Sequence, residues 1–297
     1  MPQIEANGIT LEYESAGPAN AETVLLIMGL GAQMIAWPQE LIDALVAKGY
    51  RVVWYDNRDV GLSHKFDAAG PADIAAIMAA MASGQTPKSI YLLNDMAADA
   101  AGLLEALGIA RAHIVGASMG GMIAQMVAAN HPEKTLSLTS IMSTTGNRDL
   151  PPAKPEAMAV LMTPVADTFE GRVENAVKSQ KIIGSPGYPV DEARLRENAI
   201  VSQKRMYYPA GFSRQMAAIM ASGDRREALK SIKAPSTVLH GADDPLVPLE
   251  GGKDTASTIP GAELVVIPGM GHDLPLALVE QVANVIHKTA QRAKVAA

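Results

Sequence analysis

The hexapeptide Gly116-Ala117-Ser118-Met119-Gly120-Gly121 constrains this chain more than any other stretch. It directly follows the apolar segment His113-Ile114-Val115. It directly precedes a helical pattern from Met119 to Asn130 that Pro132 stops. A buried strand that feeds a helix through one sharp turn needs small residues where the two backbones meet, so glycines stand two positions either side of the serine. Such a turn lifts the Ser118 hydroxyl to the carboxyl edge of a sheet. The Met119 amide then points where an oxyanion would form, with the positive end of the helix dipole behind it. Ser118 is the candidate nucleophile; the competing reading is a plain glycine-rich turn.

The rest of the chain supplies the setting that such a turn requires. Val24 to Met28 is a continuous apolar run that stops at Gly29, the pattern of a strand buried on both faces of a parallel sheet. Thr10 to Glu14, Arg51 to Tyr55, Leu136 to Met142, Thr237 to Leu239 and Leu264 to Ile267 read as further strands. Trp37 to Lys48, Leu93 to Leu107 and Leu276 to Ala290 read as helices between or after them. This alternation implies βαβ units and a mainly parallel sheet. The rhythm breaks from Ser143 to Ser231, where helical patterns over Glu156 to Leu161, Phe169 to Ile182, Asp191 to Met206 and Ser213 to Ser222 are punctuated by prolines. The chain therefore divides into a first core part (1–142), an inserted helical cap (143–231) and a second core part (232–297). A smaller helical insertion is expected at Ala72 to Ser83, and Arg292 to Ala297 reads as a frayed helix end.

Composition removes whole classes of function. With 48% hydrophobic and 19% charged residues, the 297-residue chain can bury a large core. Twenty-five basic against 31 acidic residues give a net charge of −6, which argues against nucleic acid as a partner. The absence of cysteine excludes disulfides, thiolate catalysis and cysteine-ligated metals. No phosphate loop or HExxH pattern calls for a cofactor or a metal, so neither is expected. No apolar run is long enough to span a bilayer, and the opening residues lack a basic stretch followed by an apolar one. A cytoplasmic protein without a membrane partner is the expectation.

A serine hydroxyl needs a base oriented by an acid. Among six histidines, His272 stands apart. It lies in Pro268-Gly269-Met270-Gly271-His272, a loop after the last strand that two glycines leave free to present the ring. His113 reads as a packed strand residue, His131 as a helix-end residue, His64 and His287 as loop and helix-surface residues, and His240 as a brace for the loop that follows it. That loop, Gly241-Ala242-Asp243-Asp244-Pro245, offers two acids. Asp244 falls three positions after the strand-ending glycine and is favoured; Asp243 reads as a turn residue. The second oxyanion donor falls to the amide of Leu30 in Met28-Gly29-Leu30-Gly31, after the first central strand.

Taken together, Ile27-Met28-Gly29, Tyr55-Asp56-Asn57-Arg58-Asp59-Val60-Gly61-Leu62-Ser63, Gly116 to Gly121, Gly241 to Pro248 and Ile267 to His272 resemble the α/β-hydrolase superfamily. The likeness is to capped serine esterases, among them aclacinomycin methylesterase and cofactor-free haloperoxidase relatives. The resemblance implies a mainly parallel eight-stranded sheet flanked by helices, a catalytic triad of Ser118, Asp244 and His272, and an oxyanion hole from Leu30 and Met119. Many members carry His-Gly where this chain has Met28-Gly29, a change that keeps the amide and lowers pocket polarity. Asp56 and Arg58 read as a structural network near the site. The expected activity is hydrolysis of carboxylic esters of small to medium, partly hydrophobic substrates. Lactonase, methylesterase, perhydrolase, carbon–carbon hydrolase or aminopeptidase chemistry could use the same triad, and so could a slow-turnover receptor on this frame. Met28, Gly29, Met158, Met162, Tyr188 and Met216 are the candidate substrate contacts. A homodimer is left open.

Overall fold

The computed structural model describes residues 2–162 and 166–295. Its centre is an eight-stranded sheet in the order β1-β2-β4-β3-β5-β6-β7-β8. In chain order the elements begin with β1 (Gln3–Ala6), β2 (Ile9–Ala16), β3 (Thr23–Ile27), α1 (Gln39–Ala47) and β4 (Arg51–Tyr55). They continue with α2 (Ile74–Ala82), α3 (Leu93–Ala106), β5 (Ala112–Ala117), α4 (Met119–Asn130) and β6 (Thr135–Ile141). The helical stretch holds α5 (Pro155–Met162), α6 (Phe169–Ile183), α7 (Glu192–Arg205), α8 (Pro209–Ser222) and α9 (Arg226–Leu229). The sheet then resumes with β7 (Ser236–Gly241), α10 (Leu249–Thr258), β8 (Glu263–Ile267) and α11 (Val279–Val295). The pairs β1–β2 and β2–β4 are antiparallel, and the remaining pairs are parallel.

The apolar runs are continuous because both sheet faces are covered. Leu25 and Ile27 of β3 face a core shared with α3 and α4. Val24 and Leu26 face the opposite core, shared with α1 and α11. Side chains alternate across a strand, so one run serves two cores. β3 pairs with β4 on one side and β5 on the other. Strand order therefore reverses at β3, and the loops after β3 and β5 meet at their carboxyl ends, where open α/β sheets bind ligands.

The expected helices of the inserted stretch are present, with shifted ends. α8 starts at Pro209, four residues before the expected Ser213, because proline is suited to the first helical turn. Thr168 and Asp191 cap α6 and α7 by accepting from Gly171 N at 3.1 Å and Arg194 N at 3.0 Å. Two helices, α9 and α10, carried no sequence signal. α10 contains Gly251-Gly252, which reads as a loop, yet a Cβ on Gly252 would lie 2.5 Å from His240 Nδ1. The helix can lie on β7 only with glycine there.

The expected fraying from Arg292 is corrected: α11 runs on to Val295. Arg292 donates to Ser236 O and Gly261 O, both at 3.1 Å, which ties this turn to the strand ends. Ala296 and Ala297 lie outside the described residues. No helix among the described residues is long and apolar enough to cross a membrane.

Candidate active site

The turn between β5 and α4 has the strained form its composition demands. Ser118 sits at φ 57° and ψ −122°, a region that costs an ordinary residue on the order of 1–3 kcal/mol. Its amide donates to Ile141 O at 2.9 Å, and its carbonyl accepts from Gly121 N at 2.9 Å and Met122 N at 3.2 Å. The glycines are steric necessities. A Cβ on Gly116 would lie 2.0 Å from Gly120 O, and one on Gly120 would lie 2.0 Å from Ile27 O.

Two loops bring partners to the Ser118 hydroxyl. His272 Nε2 is 2.9 Å from Ser118 Oγ, and His272 Nδ1 is 2.7 Å from Asp244 Oδ2. A carboxylate only accepts, so Nδ1 carries the proton and Nε2 is free to accept from the serine. The other Asp244 oxygen accepts from Leu246 N at 2.9 Å and Val247 N at 2.8 Å. Asp243 instead accepts from Gly269 N at 2.8 Å and stays exposed. The structure thus brings Asp244, and not Asp243, to the imidazole. His240 donates from Nε2 to Val247 O at 2.8 Å and lies 3.7 Å from Asp244 Oδ2. It braces the acid loop, and burial pushes its pKa below the usual histidine value. His113 is buried in β5 against Ser137 Oγ at 2.9 Å. His287 is not a bare surface residue, since its Nδ1 meets Tyr50 Oη at 2.9 Å.

The loop after β3 closes against the same hydroxyl. A Cβ on Gly29 would lie 3.1 Å from Ser118 Cβ. Leu30 is therefore one residue from the contact with the elbow. Met119 opens α4, where helix geometry leaves the first amides without an intrahelical acceptor. The next amide, Gly31 N, is occupied by Gln215 Oε1 at 2.8 Å, and Gln215 Nε2 donates to Arg58 O at 2.7 Å. Gly31 has φ +65°, and Phe212 packs where a side chain would stand.

Asp56 to Asp59 anchor loops, as expected of a structural network. Buried Asp56 accepts from Met34 N at 2.7 Å and Leu62 N at 2.8 Å and pairs with Arg205 at 2.7 Å. Arg58 grips Asp99 through Nε at 2.6 Å and Nη2 at 2.7 Å. Asp59 takes Arg214 at 2.8 and 2.6 Å and the Tyr91 hydroxyl at 2.8 Å. Burial alone would raise the Asp59 pKa, but the Arg214 guanidinium, the Phe66 amide and the Tyr91 hydroxyl hold it below the usual carboxylate value.

The proposed substrate contacts are spread. Met28 and Gly29 are buried beside the elbow, and Met216 is partly buried on α8. Met158 and Met162 on α5 are 43% and 53% exposed. Tyr188 gives its hydroxyl to Pro268 O at 3.2 Å, so it braces the loop ahead of His272. Sequence reading missed Gln33, Arg205, Arg214, Gln215 and Ser185, all tied to loops around the serine. Arg214-Gln215 inside an otherwise apolar helix was the available signal. Among the described residues there is no cluster of three histidine or acidic side chains suited to a metal.

A nucleophile, base and acid in hydrogen-bonded series at a strand–helix elbow can perform acyl transfer. The comparisons agree with that frame. The chain is 27% identical to rhodomycin D methylesterase DauP of Streptomyces sp. (strain C5), over 95% of each chain. It is 30% identical to the putative carbamate hydrolase RutD of Pantoea ananatis, covering 86% of this chain and 82% of that protein. The enol-lactonase from Burkholderia xenovorans superposes with a TM-score of 0.71 at 21% identity, over 98% of this chain and 100% of its own. Residues 22–182 match the model of the alpha/beta hydrolase fold family, and with the 30% identical relative this establishes that the chain belongs to that family.

Proposed function

We propose that the protein is a serine esterase that hydrolyses carboxylic esters of small to medium, partly hydrophobic substrates. The observation that carries the reading is the Ser118–His272–Asp244 series at 2.9 and 2.7 Å on a strained elbow. Ser118 attacks the ester carbonyl while His272 Nε2 takes its proton and Asp244 stabilises the resulting imidazolium. The oxyanion rests on the amides of Leu30 and Met119; one such donor is worth roughly 3–4 kcal/mol of barrier. His272 returns the proton to the leaving alcohol, and water then cleaves the acyl-enzyme with His272 again as base. Residues 143–231 act as a cap over this site, and Met158, Met162 and Met216 give it an apolar, adaptable wall.

Relatives named as a methylesterase and an enol-lactonase support ester or lactone carbonyls as the substrate class. The test is labelling with a fluorophosphonate probe, mapped by mass spectrometry, followed by p-nitrophenyl esters of increasing acyl length. One adduct on Ser118 that prior denaturation prevents, and turnover that Ser118→Ala abolishes in a folded protein, is the expected result. A Ser118→Ala variant that hydrolyses esters at the parent rate would refute the assignment.

A further inference from the structure

The loop that carries His272 is held from two sides. Its first half is fastened to the sheet domain: Gly269 N donates to Asp243 Oδ2 at 2.8 Å, and Met270 O accepts from Asp243 N at 3.0 Å. Its second half is fastened to the turn after α6. His272 N donates to Ile183 O at 2.7 Å, and Gly271 N donates to Ser185 Oγ at 2.8 Å. The Ser185 hydroxyl in turn donates to the Asp273 carboxylate. One buried hydroxyl therefore bridges the residue before His272 and the residue after it. The two turns touch backbone to backbone: a Cβ on Gly271 would lie 2.3 Å from Gly184 O, and one on Gly187 would lie 2.6 Å from the Gly269 Cα.

Building on the esterase reading above, we propose that Ser185 is a positioning residue for the general base, so that the inserted helices set the place of His272 as well as cover the site. The argument is geometric. Val266-Ile267 ends the strand, and the glycines at 269 and 271 leave the following backbone free to adopt many conformations. Asp244 fixes one end of the imidazole, but a ring turning about that contact still swings Nε2 relative to Ser118. The bonds to Ile183 and Ser185 remove that freedom at the backbone leading into the ring, and the Asp273 carboxylate on the same Ser185 hydroxyl ties the residue that follows it. A displacement near 1 Å of a reacting group costs on the order of a hundredfold in rate. Loss of one of these bonds, with part of the strap intact, should cost about tenfold.

The experiment uses the full chain with two substitutions, Ser185→Ala and the near-isosteric Ser185→Cys, whose thiol bonds weakly. The expected result is a fall of about tenfold in fluorophosphonate labelling of Ser118 and in kcat for p-nitrophenyl acetate. KM should stay within about twofold, and the thermal midpoint should stay near that of the parent. Ser185→Cys should lose less than Ser185→Ala, and it decides the matter if the alanine variant does not fold. Labelling at the parent rate in a folded variant, or a loss confined to KM, overturns the proposal. A parent protein that is not labelled at all refutes the esterase reading instead, which keeps the two failures apart.

Discussion

Replacing Asp244 by Asn tests the acid more sharply than deleting it. The side chain keeps its volume and exchanges one oxygen for an NH2 group. The structure dictates which end is which. Asp244 Oδ1 accepts from two backbone amides, Leu246 at 2.9 Å and Val247 at 2.8 Å, and an NH2 group cannot accept. The asparagine must keep its carbonyl there, so its NH2 faces His272 Nδ1 across the present 2.7 Å. Nδ1 must then accept, and the ring proton moves to Nε2. That is the atom, 2.9 Å from Ser118 Oγ, that has to receive the serine proton. A wrong tautomer imposed in this way lowers kcat by roughly 10⁴, equivalent to about 5.5 kcal/mol of barrier. KM should change little, because the carboxylate does not touch substrate. The thermal midpoint should stay near that of the parent, since both loop amides keep their acceptor. Asp244→Ala lacks that control: it strands two amides at about 1–3 kcal/mol each. The assay is kcat on p-nitrophenyl acetate across pH 6 to 9 with melting curves alongside. A folded Asp244→Asn enzyme within tenfold of the parent would refute the tautomer argument.

Two further predictions concern stability. Arg214→Leu leaves Asp59 buried with the Phe66 amide and the Tyr91 hydroxyl but without its directly paired guanidinium. Breaking such a pair costs roughly 3–5 kcal/mol, which melting curves should show as a midpoint lower by about 5–10 °C; an unchanged midpoint would mean that Asp59 takes up a proton at little cost. The second concerns acid. Burial pushes the pKa of both His113 and His240 below 6.5, so below that pH the unfolded chain binds protons that the folded chain refuses. Stability therefore falls with falling pH from about 6.5, by up to about 1.4 kcal/mol per pH unit for each histidine. Urea unfolding at pH 5 to 8 measures the slope, and His113→Asn should reduce it by about half. An unaltered slope in that variant would remove His113 from the account.

What was legible in the sequence follows from how local its cause is. The elbow was legible because its steric demands fall within six residues: Gly116 and Gly120 meet at a distance no Cβ tolerates. The place of His272 was legible because a glycine-flanked loop after a last strand can be counted along the chain, and Asp244 because spacing from Gly241 separates it from Asp243. α10 was hidden because its close approaches, Gly252 to His240 and Gly251 to Thr144, are made with glycines, the residues that ordinarily mark a loop. Gln215 and Ser185 were hidden for a different reason. Gln215 lies 184 residues from Gly31, and Ser185 lies 86 residues from Gly271. The polar break in α8 singles out Gln215 without naming the loop it reaches, and Ser185 in its turn has the same local pattern as a residue facing water.

The partners of these hidden residues explain why the inserted helices carry polar side chains among the apolar ones, such as Ala218 and Leu229, that they pack on the sheet domain. Apolar burial holds layers together but is not directional, so it cannot fix a glycine-rich loop to a fraction of an ångström. Hydrogen bonds are directional, and several loops around the site receive one from the helices between β6 and β7. Gln215 takes Gly31 N beside the proposed oxyanion donor, Arg205 takes Asp56, Arg225 takes Thr144 O at 2.7 Å after β6, and Ser185 takes Gly271 N beside the proposed base. A substitution on these helices therefore has two routes to activity. One would run through the apolar wall proposed above and change which ester fits, which is read in KM. The other runs through a strut and shifts a reacting group for every ester alike, which is read in kcat. Gln215, which holds Gly31 N, and Met216, a residue of the proposed wall, are adjacent on α8 and would stand one on each route.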